Sequence, residues 1–431
     1  MNKVVLLAPY FLPRRRVGSW RPFKFAIHLK KFGWQPHIIT IEESTGLLTH
    51  KEKSLLSDIA VYKLKSPFDF TQKSGSQLDK NQSPPKSKST KKLLDPILGW
   101  VDKNFPIDTW LPLFYLRKKK VERLIDDINP DVIWSTGDPW SSHWLAGKIS
   151  EKKGLPWIAD FRDPWTLGDV NLKKRAAWSN AYDKKAEREV IKNASVLTFT
   201  SQSTEELYRN HYSDINPQTA TIYNCFDLEL YDKPTRDKSL FDDQYLNLLF
   251  FGKFRLLSPA RPLIDILWHL KKEFDEGKIP IHIHSFGELT EQDSAHARLK
   301  GVAEYFKAHS PIPGEQALGV LPQADLLWLS TDVKRNNIIP AKLWDYLAAR
   351  RPILSIAPNA EIAQILQQTG AGIQINYNET QKVAELLTQC VLAKQQGKPL
   401  PVPASFNGEK INEYEATQIT QKLANILDQL A

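Results

Sequence analysis

The sequence predicts an α/β protein made of two doubly wound parallel sheets, each in a domain of its own. Short apolar runs alternate with amphipathic helical segments, which is typical of parallel βαβ units. The alternation begins again after residue 240, so we expect a second sheet rather than a continuation of the first. A chain of 431 residues is long enough for two large hydrophobic cores.

The first series of elements lies in the N-terminal half. Its predicted buried strands are Val4–Ala8, His37–Ile41, Val132–Ser135, Trp157–Asp160 and Val196–Thr200. Its predicted helices are Pro22–Phe32, Arg117–Asp127, Ser142–Lys153 and Ala176–Asn193. Each helical pattern ends near glycine or asparagine, which favour helix termination.

The second series follows residues 224–245, a charged segment without clear periodicity that indicates a linker. Its predicted strands are Leu246–Phe251, Ile281–Phe286, Leu326–Leu329 and Ile353–Ile356. Its predicted helices are Leu263–Phe274, Ala295–Ala308, Ala341–Ala349 and Glu361–Thr369. We therefore assign residues 1–230 to an N-terminal domain and residues 231–405 to a C-terminal domain.

One further helix, Asn412–Leu430, follows the second series. Its apolar positions fall on one face, so that face is expected to be buried. We expect residues 406–431 to form a crossover helix that packs back on the N-terminal domain.

The composition excludes several classes of protein. The chain is 42% hydrophobic and 25% charged, and it has no apolar run of the ~18 residues that a spanning helix needs. The apolar run Val4–Leu12 carries prolines and precedes its arginines, so it indicates a buried strand rather than a signal peptide. Only Cys225 and Cys390 are present, which predicts neither a disulfide framework nor a metal site and fits the cytoplasm.

Basic charge is concentrated near the N-terminus. Residues 1–125 carry 24 Lys and Arg against 10 Asp and Glu, whereas the remainder is net acidic. Residues 72–92 are polar and rich in Ser, Lys and Pro, and we predict a mobile loop. The following segment, Leu93–Tyr115, places Trp100, Phe105, Trp110 and Phe114 before a basic run at 117–120. This pattern fits either a segment that contacts an anionic membrane surface or an ordinary core helix followed by charged residues.

Ligands of doubly wound sheets bind beyond the carboxyl ends of the strands, so the loops there hold the candidate site. The loop after the first strand lacks the three-glycine dinucleotide fingerprint, and no Walker loop occurs in the chain. An NAD-dependent dehydrogenase and a P-loop NTPase are therefore disfavoured. Gly18 and Ser19 could let backbone amides approach a phosphate, although a simple turn has the same pattern.

Two segments of the second domain suggest an anion site. Gly252 and Lys253 follow its first strand, with Arg261 a few residues on, as a diphosphate clamp would require. A surface Lys/Arg pair would have the same sequence. In the second segment, Pro340 is suited to the first turn of a helix whose amides could bind an anion. Asp345 could accept hydrogen bonds from ribose hydroxyls.

Taken together, four segments resemble the GT-B fold glycosyltransferases of family 4, over nearly the whole chain. These segments are Trp134–His143, Pro156–Trp165, Gly252–Arg261 and Ile339–Leu354. The resemblance implies a metal-independent, retaining transferase with no cofactor, which uses a nucleotide-diphosphate sugar held mostly by the C-terminal domain in an interdomain cleft. The basic N-terminal residues and the segment Leu93–Lys120 suggest a lipid-linked or cell-envelope glycan as the acceptor, as in cell-envelope polysaccharide biosynthesis.

The resemblance also suggests roles for single residues. The diphosphate pair falls on Lys253 and Arg261. The family's Glu-x7-Glu pair falls on Asn337 and Asp345, so the chain departs from that pattern at both positions. The candidate donor-binding residues are Gly18, Gly252, Lys253, Arg261, Asn337, Pro340, Lys342 and Asp345. The candidate acid/base or sugar-binding residues are His143, Asp160, Arg162 and Asp163. The alternative for Asp160–Asp163 is an internal Asp/Arg ion pair that shapes the loop.

Other functions remain open at this point. A sugar-nucleotide epimerase or hydrolase of the same fold would need acid/base carboxylates but no acceptor. A non-catalytic scaffold for nucleotide-sugar or lipid would fit Asn337. Specific nucleic-acid binding is the weakest alternative, because no recognition motif accompanies the basic charge. We expect a cytoplasmic protein, in peripheral contact with the inner face of the cell membrane.

Overall fold

The structure is a computed structural model of the full chain. It describes residues 1–42, 46–65, 104–168, 175–231, 240–274 and 279–431. The predicted mobile loop at 72–92 and the predicted interfacial residue Trp100 lie outside these ranges.

The chain divides into two compact units. The first comprises residues 1–223 and 416–431, and the second comprises residues 224–415. Residues 224–230 and 406–415, which we assigned to the N-terminal domain and to the crossover helix, thus lie in the second unit.

The first unit contains a parallel sheet of seven strands in the part that the structure describes. Its strands are β1 (Asn2–Leu7), β2 (Trp34–Ile41), β3 (Ala60–Leu64), β4 (Val132–Gly137), β5 (Trp157–Phe161), β6 (Val196–Phe199) and β7 (Thr219–Thr221). They are ordered β3-β2-β1-β4-β5-β6-β7, which is a doubly wound topology with β1 and β4 at its centre. Its helices are α1 (Val17–His28), α2 (His50–Leu55), α3 (Leu111–Ile128), α4 (Ser141–Lys153), α5 (Ala177–Asn193) and α6 (Gln202–His211).

The second unit repeats this topology with six parallel strands among the described residues. They are β8 (Leu246–Phe250), β9 (Ile281–Phe286), β10 (Phe306–His309), β11 (Leu326–Ser330), β12 (Ile353–Ile356) and β13 (Gly372–Ile375), ordered β10-β9-β8-β11-β12-β13. The helices are α7 (Arg261–Leu270), α8 (Glu291–Leu299), α9 (Ala317–Val320), α10 (Lys342–Ala349), α11 (Ala360–Thr369), α12 (Thr380–Gln395) and α13 (Gly408–Asn412). The prediction of two doubly wound sheets is confirmed.

The last helix, α14 (Ala416–Leu430), returns to the first unit. Its buried residues Ile419, Leu423 and Leu427 recur at three- and four-residue spacing, which gives one apolar face. This face packs on α1, and Trp34 Nε1 donates a 2.7 Å hydrogen bond to Asp428 Oδ1. The predicted return of the final helix to the N-terminal half is confirmed.

Element types differ from the prediction mainly at Ala295–Ala308. The structure has α8 there, followed by the edge strand β10. The strands β3, β7 and β13 were also missed; each lies at the outer part of its sheet and is only partly buried, so it lacks the continuous apolar run that marks a central strand. No helix within the described ranges is long and apolar enough to cross a membrane.

Candidate active site

The site residues of the first unit lie at the carboxyl ends of β4, β5 and β6. Asp160, near the end of β5, is fully buried and accepts two hydrogen bonds from Arg21 of α1, at 2.8 and 3.0 Å. Thr136 and Thr198 donate to the same carboxylate at 2.9 and 2.8 Å. Each carboxylate oxygen therefore accepts two hydrogen bonds, which matches the ion-pair alternative for Asp160 better than an acid/base role.

Arg162, two residues further on, holds the loop that follows β4. Its Nε donates to the carbonyl oxygen of Gly137 at 2.9 Å, and its Nη2 binds the carboxylate of Asp138 at 2.7 Å. Gly18 makes room for this guanidinium, because a Cβ atom there would lie 1.9 Å from Arg162 Nη1. Gly18, predicted to approach a phosphate of the donor, thus packs on a side chain of its own unit.

Replacing Gly18 with alanine should displace Arg162 and lower the melting temperature. Residue 18 lies in the first turn of α1, where alanine would otherwise favour the helix by about 1 kcal/mol. Gly314→Ala is the matched control, because nothing lies within 4 Å of its Cβ position. Calorimetry of the two variants measures the effect. A Gly18→Ala protein as stable as the wild type would contradict this packing.

His143 of α4 is buried beside Asp160 and Arg162. Its Nδ1 lies 2.7 Å from Ser135 Oγ, and its ring stacks on Phe161 with centroids 5.0 Å apart. Burial lowers the pKa of His143 to about 3, and the charge of Arg162 adds to this. The imidazole is therefore neutral at physiological pH and has no exposed surface. This geometry disfavours His143 as a residue that touches substrate.

Asp163 differs from its neighbours. It is only partly buried, and no hydrogen bond or ion pair joins its carboxylate to another residue that the structure describes. Of the four acid/base candidates, Asp163 alone combines a titratable side chain, partial exposure and this lack of protein partners.

In the second unit, the candidate site begins at the turn after β8. Gly252 has φ +117°, a conformation that glycine adopts readily, and its carbonyl accepts a hydrogen bond from Phe286 N at 3.0 Å. A Cβ atom there would lie 3.3 Å from Lys342 Cε. The glycine therefore permits both the turn and the approach of Lys342.

Lys342, the first residue of α10, is held against the end of β8. One turn later, Tyr346 OH donates to Trp328 O and accepts from Phe251 N at 2.9 Å, which fixes α10 to β11 and to the end of β8. The Lys342 ammonium lies 4.3 Å from the centre of the buried Phe250 ring. Burial lowers the pKa of Lys342 to about 8, and Arg255 and Arg335 lower it while Asp345 raises it.

The loops that carry Arg255 and Arg335 are joined to each other. Asp332 N donates to Leu257 O at 3.1 Å, which links the loop after β11 to the loop after β8. The Nε of Arg335 is buried and has no hydrogen-bond partner among the described residues. A buried, unsatisfied N–H of a guanidinium is costly unless an anion or water binds it.

Asp345 brings the negative charge that acts on Lys342. Its carboxylate accepts a hydrogen bond from Tyr231 OH, and this bond joins Tyr231 to α10. Two arginines and one carboxylate thus act on the charge of Lys342, so the site suits a ligand with more than one negative charge.

The other predicted donor residues lie around this cluster in different ways. The Lys253 side chain runs along Gly287, whose Cβ position is 3.0 Å from Lys253 Cβ, and Arg261 is exposed at the start of α7. Asn337 lies in the loop between β11 and α10. Pro340 precedes α10, which begins at Lys342, and its carbonyl accepts from Leu343 N at 3.0 Å. This amide is therefore occupied within the turn and is not free for an anion.

The sequence analysis missed Arg335 as a site residue. Its signal was weak, because a single arginine in a polar loop resembles any surface residue. Its electrostatic effect on Lys342 is evident only in the folded structure.

Part of the chain matches a known protein family. Residues 81–230 match the family described as Glycosyltransferase Family 4. This similarity covers less than half of the chain. No curated protein matches its sequence.

Solved structures share the fold of this chain over its full length. Sucrose-phosphate synthase from Thermosynechococcus elongatus has a TM-score of 0.66 at 13% identity, with 100% of this chain and 99% of that chain covered. A glycosyltransferase from Rickettsia africae has a TM-score of 0.62 at 12% identity, with 100% and 98% covered. HepE from Anabaena, in complex with UDP-glucose, has a TM-score of 0.62 at 14% identity, with 100% of both chains covered. The predicted GT-B fold is confirmed.

Proposed function

We propose that this protein is a glycosyltransferase, which moves a sugar from a nucleoside diphosphate donor to an acceptor hydroxyl, with retention at the anomeric carbon. The observation that carries the donor class is the buried, unpartnered Nε of Arg335, whose positive charge acts on Lys342 together with that of Arg255. The UDP-glucose complex of HepE, a protein of the same fold, supports a nucleotide sugar as the donor.

The chemistry follows from where negative charge develops. When the bond between the sugar and the diphosphate breaks, the leaving oxygen gains charge, which cations already in place stabilise without reorganisation. Lys342, Arg255 and Arg335 would provide this stabilisation, so we propose that transfer needs no metal ion. In this proposal Asp345 accepts hydrogen bonds from the ribose, and Asn337 contacts the donor sugar.

The acceptor would bind at the first unit. In this proposal the carboxylate of Asp163 accepts a hydrogen bond from the attacking hydroxyl, which is supported by the lack of a described residue that competes for it. Asp160 and Arg162 would act as positioning residues that hold the loops after β4 and β5. We propose a glycan or lipid-linked acceptor of the cell envelope, and a location at the cytoplasmic face of the membrane.

A thermal-shift panel tests the donor class. The panel contains UDP, GDP, ADP and dTDP, each with magnesium or with EDTA. A ligand at 100 times its Kd stabilises the folded state by about 2.7 kcal/mol. We expect one diphosphate to raise the melting temperature equally with and without magnesium. A shift that requires magnesium would contradict the metal-free proposal, and no shift with any diphosphate would contradict the donor site.

Product analysis separates the remaining alternatives. A transferase forms glycosylated product only when an acceptor is present. An epimerase or hydrolase would convert the donor alone, and a scaffold would bind the donor without turnover.

A further inference from the structure

Exposed aromatic side chains of the first unit gather on two helices. The large exposed aromatic residues of the described chain are Tyr115 on α3 and Trp178 and Tyr182 on α5, at 69%, 56% and 45% exposure. Leu116, next to Tyr115, is 59% exposed. Single exposed apolar side chains are normal, whereas exposed apolar side chains that lie together mark contact sites, so this grouping on two helices indicates a partner.

These are not the rings that the sequence suggested for an interface. Trp110 and Phe114 are 2% and 0% exposed, and they pack in the core with Leu113, Val121 and Ile125. The alternative of an ordinary core helix therefore holds for the inner face of α3. The outer face carries Tyr115 and Leu116 instead.

The exposed rings lie on one rim of the unit. Helices that connect parallel strands run antiparallel to them, so the first turns of α3 and α5 lie toward the carboxyl edge of the sheet. Tyr115, Trp178 and Tyr182 all fall in the first two turns of their helices. The helix between them, α4, contacts both, and Tyr115 packs on Trp144 of α4 with ring centroids 6.2 Å apart.

Cations accompany these side chains. Five exposed basic residues of α3 and α5 form no ion pair within the described part of the chain: Lys119, Lys120, Arg123, Lys184 and Lys185. The acids Glu122 and Asp126 are paired with Lys152 and Lys153 of α4, which leaves Asp127 and Glu189 as the exposed acids of these two helices without a described ion pair. The rim is therefore apolar and positively charged at once.

We propose that the outer faces of α3 and α5 dock on an anionic lipid bilayer. Rings and leucine enter the headgroup region, where their burial is favourable, while the ammonium and guanidinium groups meet anionic headgroups. The docked rim is the carboxyl edge of the sheet, where Asp163 lies, so a lipid-linked acceptor would be delivered to that edge. The proposal gives a surface to the membrane location proposed above; only the delivery of the acceptor rests on the proposed function.

Vesicle co-sedimentation of the full chain tests the proposal. Vesicles of phosphatidylcholine with and without 30% phosphatidylserine are compared at about 0.1 M salt. We expect binding to the anionic vesicles and little to the neutral ones. Lys119→Glu with Lys120→Glu should weaken it at least about 25-fold, since each cation near the surface contributes about fivefold. Leu116→Ser with Trp178→Ser should also weaken it strongly.

Control variants come from the second unit. Lys398→Glu and Leu392→Ser change an exposed cation and an exposed leucine there, and both should bind like the wild type. The melting temperature reports folding of each variant. The thermal shift with nucleoside diphosphate reports the donor site. If the donor shift fails while vesicle binding holds, only the proposed donor site is overturned.

Several outcomes would overturn the docking proposal. One is wild-type protein that does not bind anionic vesicles. Another is wild-type affinity of the Leu116→Ser, Trp178→Ser variant, which would leave only a diffuse charge attraction. A third is a dimer in sedimentation velocity that this variant converts to monomer, because a second copy of the chain would then cover the rings.

Discussion

Replacing Lys342 with methionine should reduce turnover by about 10²–10³-fold, the effect of losing one fixed donor to a developing oxyanion. The melting temperature should stay the same or rise. The Lys342 ammonium lies against the Phe250 ring and its pKa is lowered to about 8, so folding leaves it less favourably solvated. Methionine fills the same volume without that cost. Steady-state kinetics and calorimetry measure the two effects.

Lys334→Ala is the matched control for this variant. Lys334 is exposed in the loop that precedes α10, and its side chain forms no ion pair within the described residues. Its replacement should leave turnover near the wild-type value. Full activity of the Lys342→Met protein would remove the ammonium from the mechanism.

The same lysine predicts an alkaline limb in the pH profile. The ratio kcat/KM for the donor reports groups of the free enzyme. With a lowered pKa of about 8, Lys342 loses its proton above that pH, so kcat/KM should fall there. Lys342→Arg keeps its charge well above pH 10 and should shift or remove the limb. An unchanged limb in that variant would assign the limb to another group.

Replacing Asp160 with asparagine should destabilise the protein by about 3–5 kcal/mol, because it leaves the Arg21 guanidinium buried without its counter-charge. Both side chains are nearly inaccessible, at 3% and 0% exposure. Arg21 Nη1 also donates to Tyr223 O at 2.9 Å, so the loss extends to the residue at which the first stretch of the first unit ends. Denaturant unfolding followed by fluorescence measures the loss.

Asp163→Asn is the matched substitution three residues away. It removes the same charge from a carboxylate without described partners, so the free energy of unfolding should change by less than about 0.5 kcal/mol. Turnover should fall, because the proposed contact to the acceptor hydroxyl is weakened. Equal stability losses in the two variants would contradict the distinction between a buried ion pair and an unpaired carboxylate.

Central strands could be predicted because burial on both faces requires continuous apolar runs. Ile281–Phe286 and Ile353–Ile356 appear in the structure with their predicted bounds. Edge strands such as β10 lack that signal, since one side has no neighbouring strand and their residues are only half buried. Ala295–Ala308 was therefore predicted as a single helix.

The sequence also predicted the loops of the candidate site, but not which side chains would meet there. That Lys253 and Arg261 bind the diphosphate stays a prediction, and the structure adds Arg255 and Arg335, which act on the charge of Lys342. Likewise, a local Asp/Arg pair was weighed for Asp160, and its partner is Arg21, separated by 139 residues. Neither contact leaves a local pattern.

By itself, the sequence determined the two parallel sheets, the glycosyltransferase resemblance and the segments that carry the site, because periodicity and turn residues are local properties of the chain. The tertiary structure alone decided which charges are paired and which stay available. In the folded chain the Asp160 carboxylate forms a buried ion pair with Arg21, and burial lowers the pKa of Lys342. Tyr115 and Trp178 stay outside the core. The physical reason is that burial and pairing depend on contacts between segments far apart in the chain, which no sequence window contains.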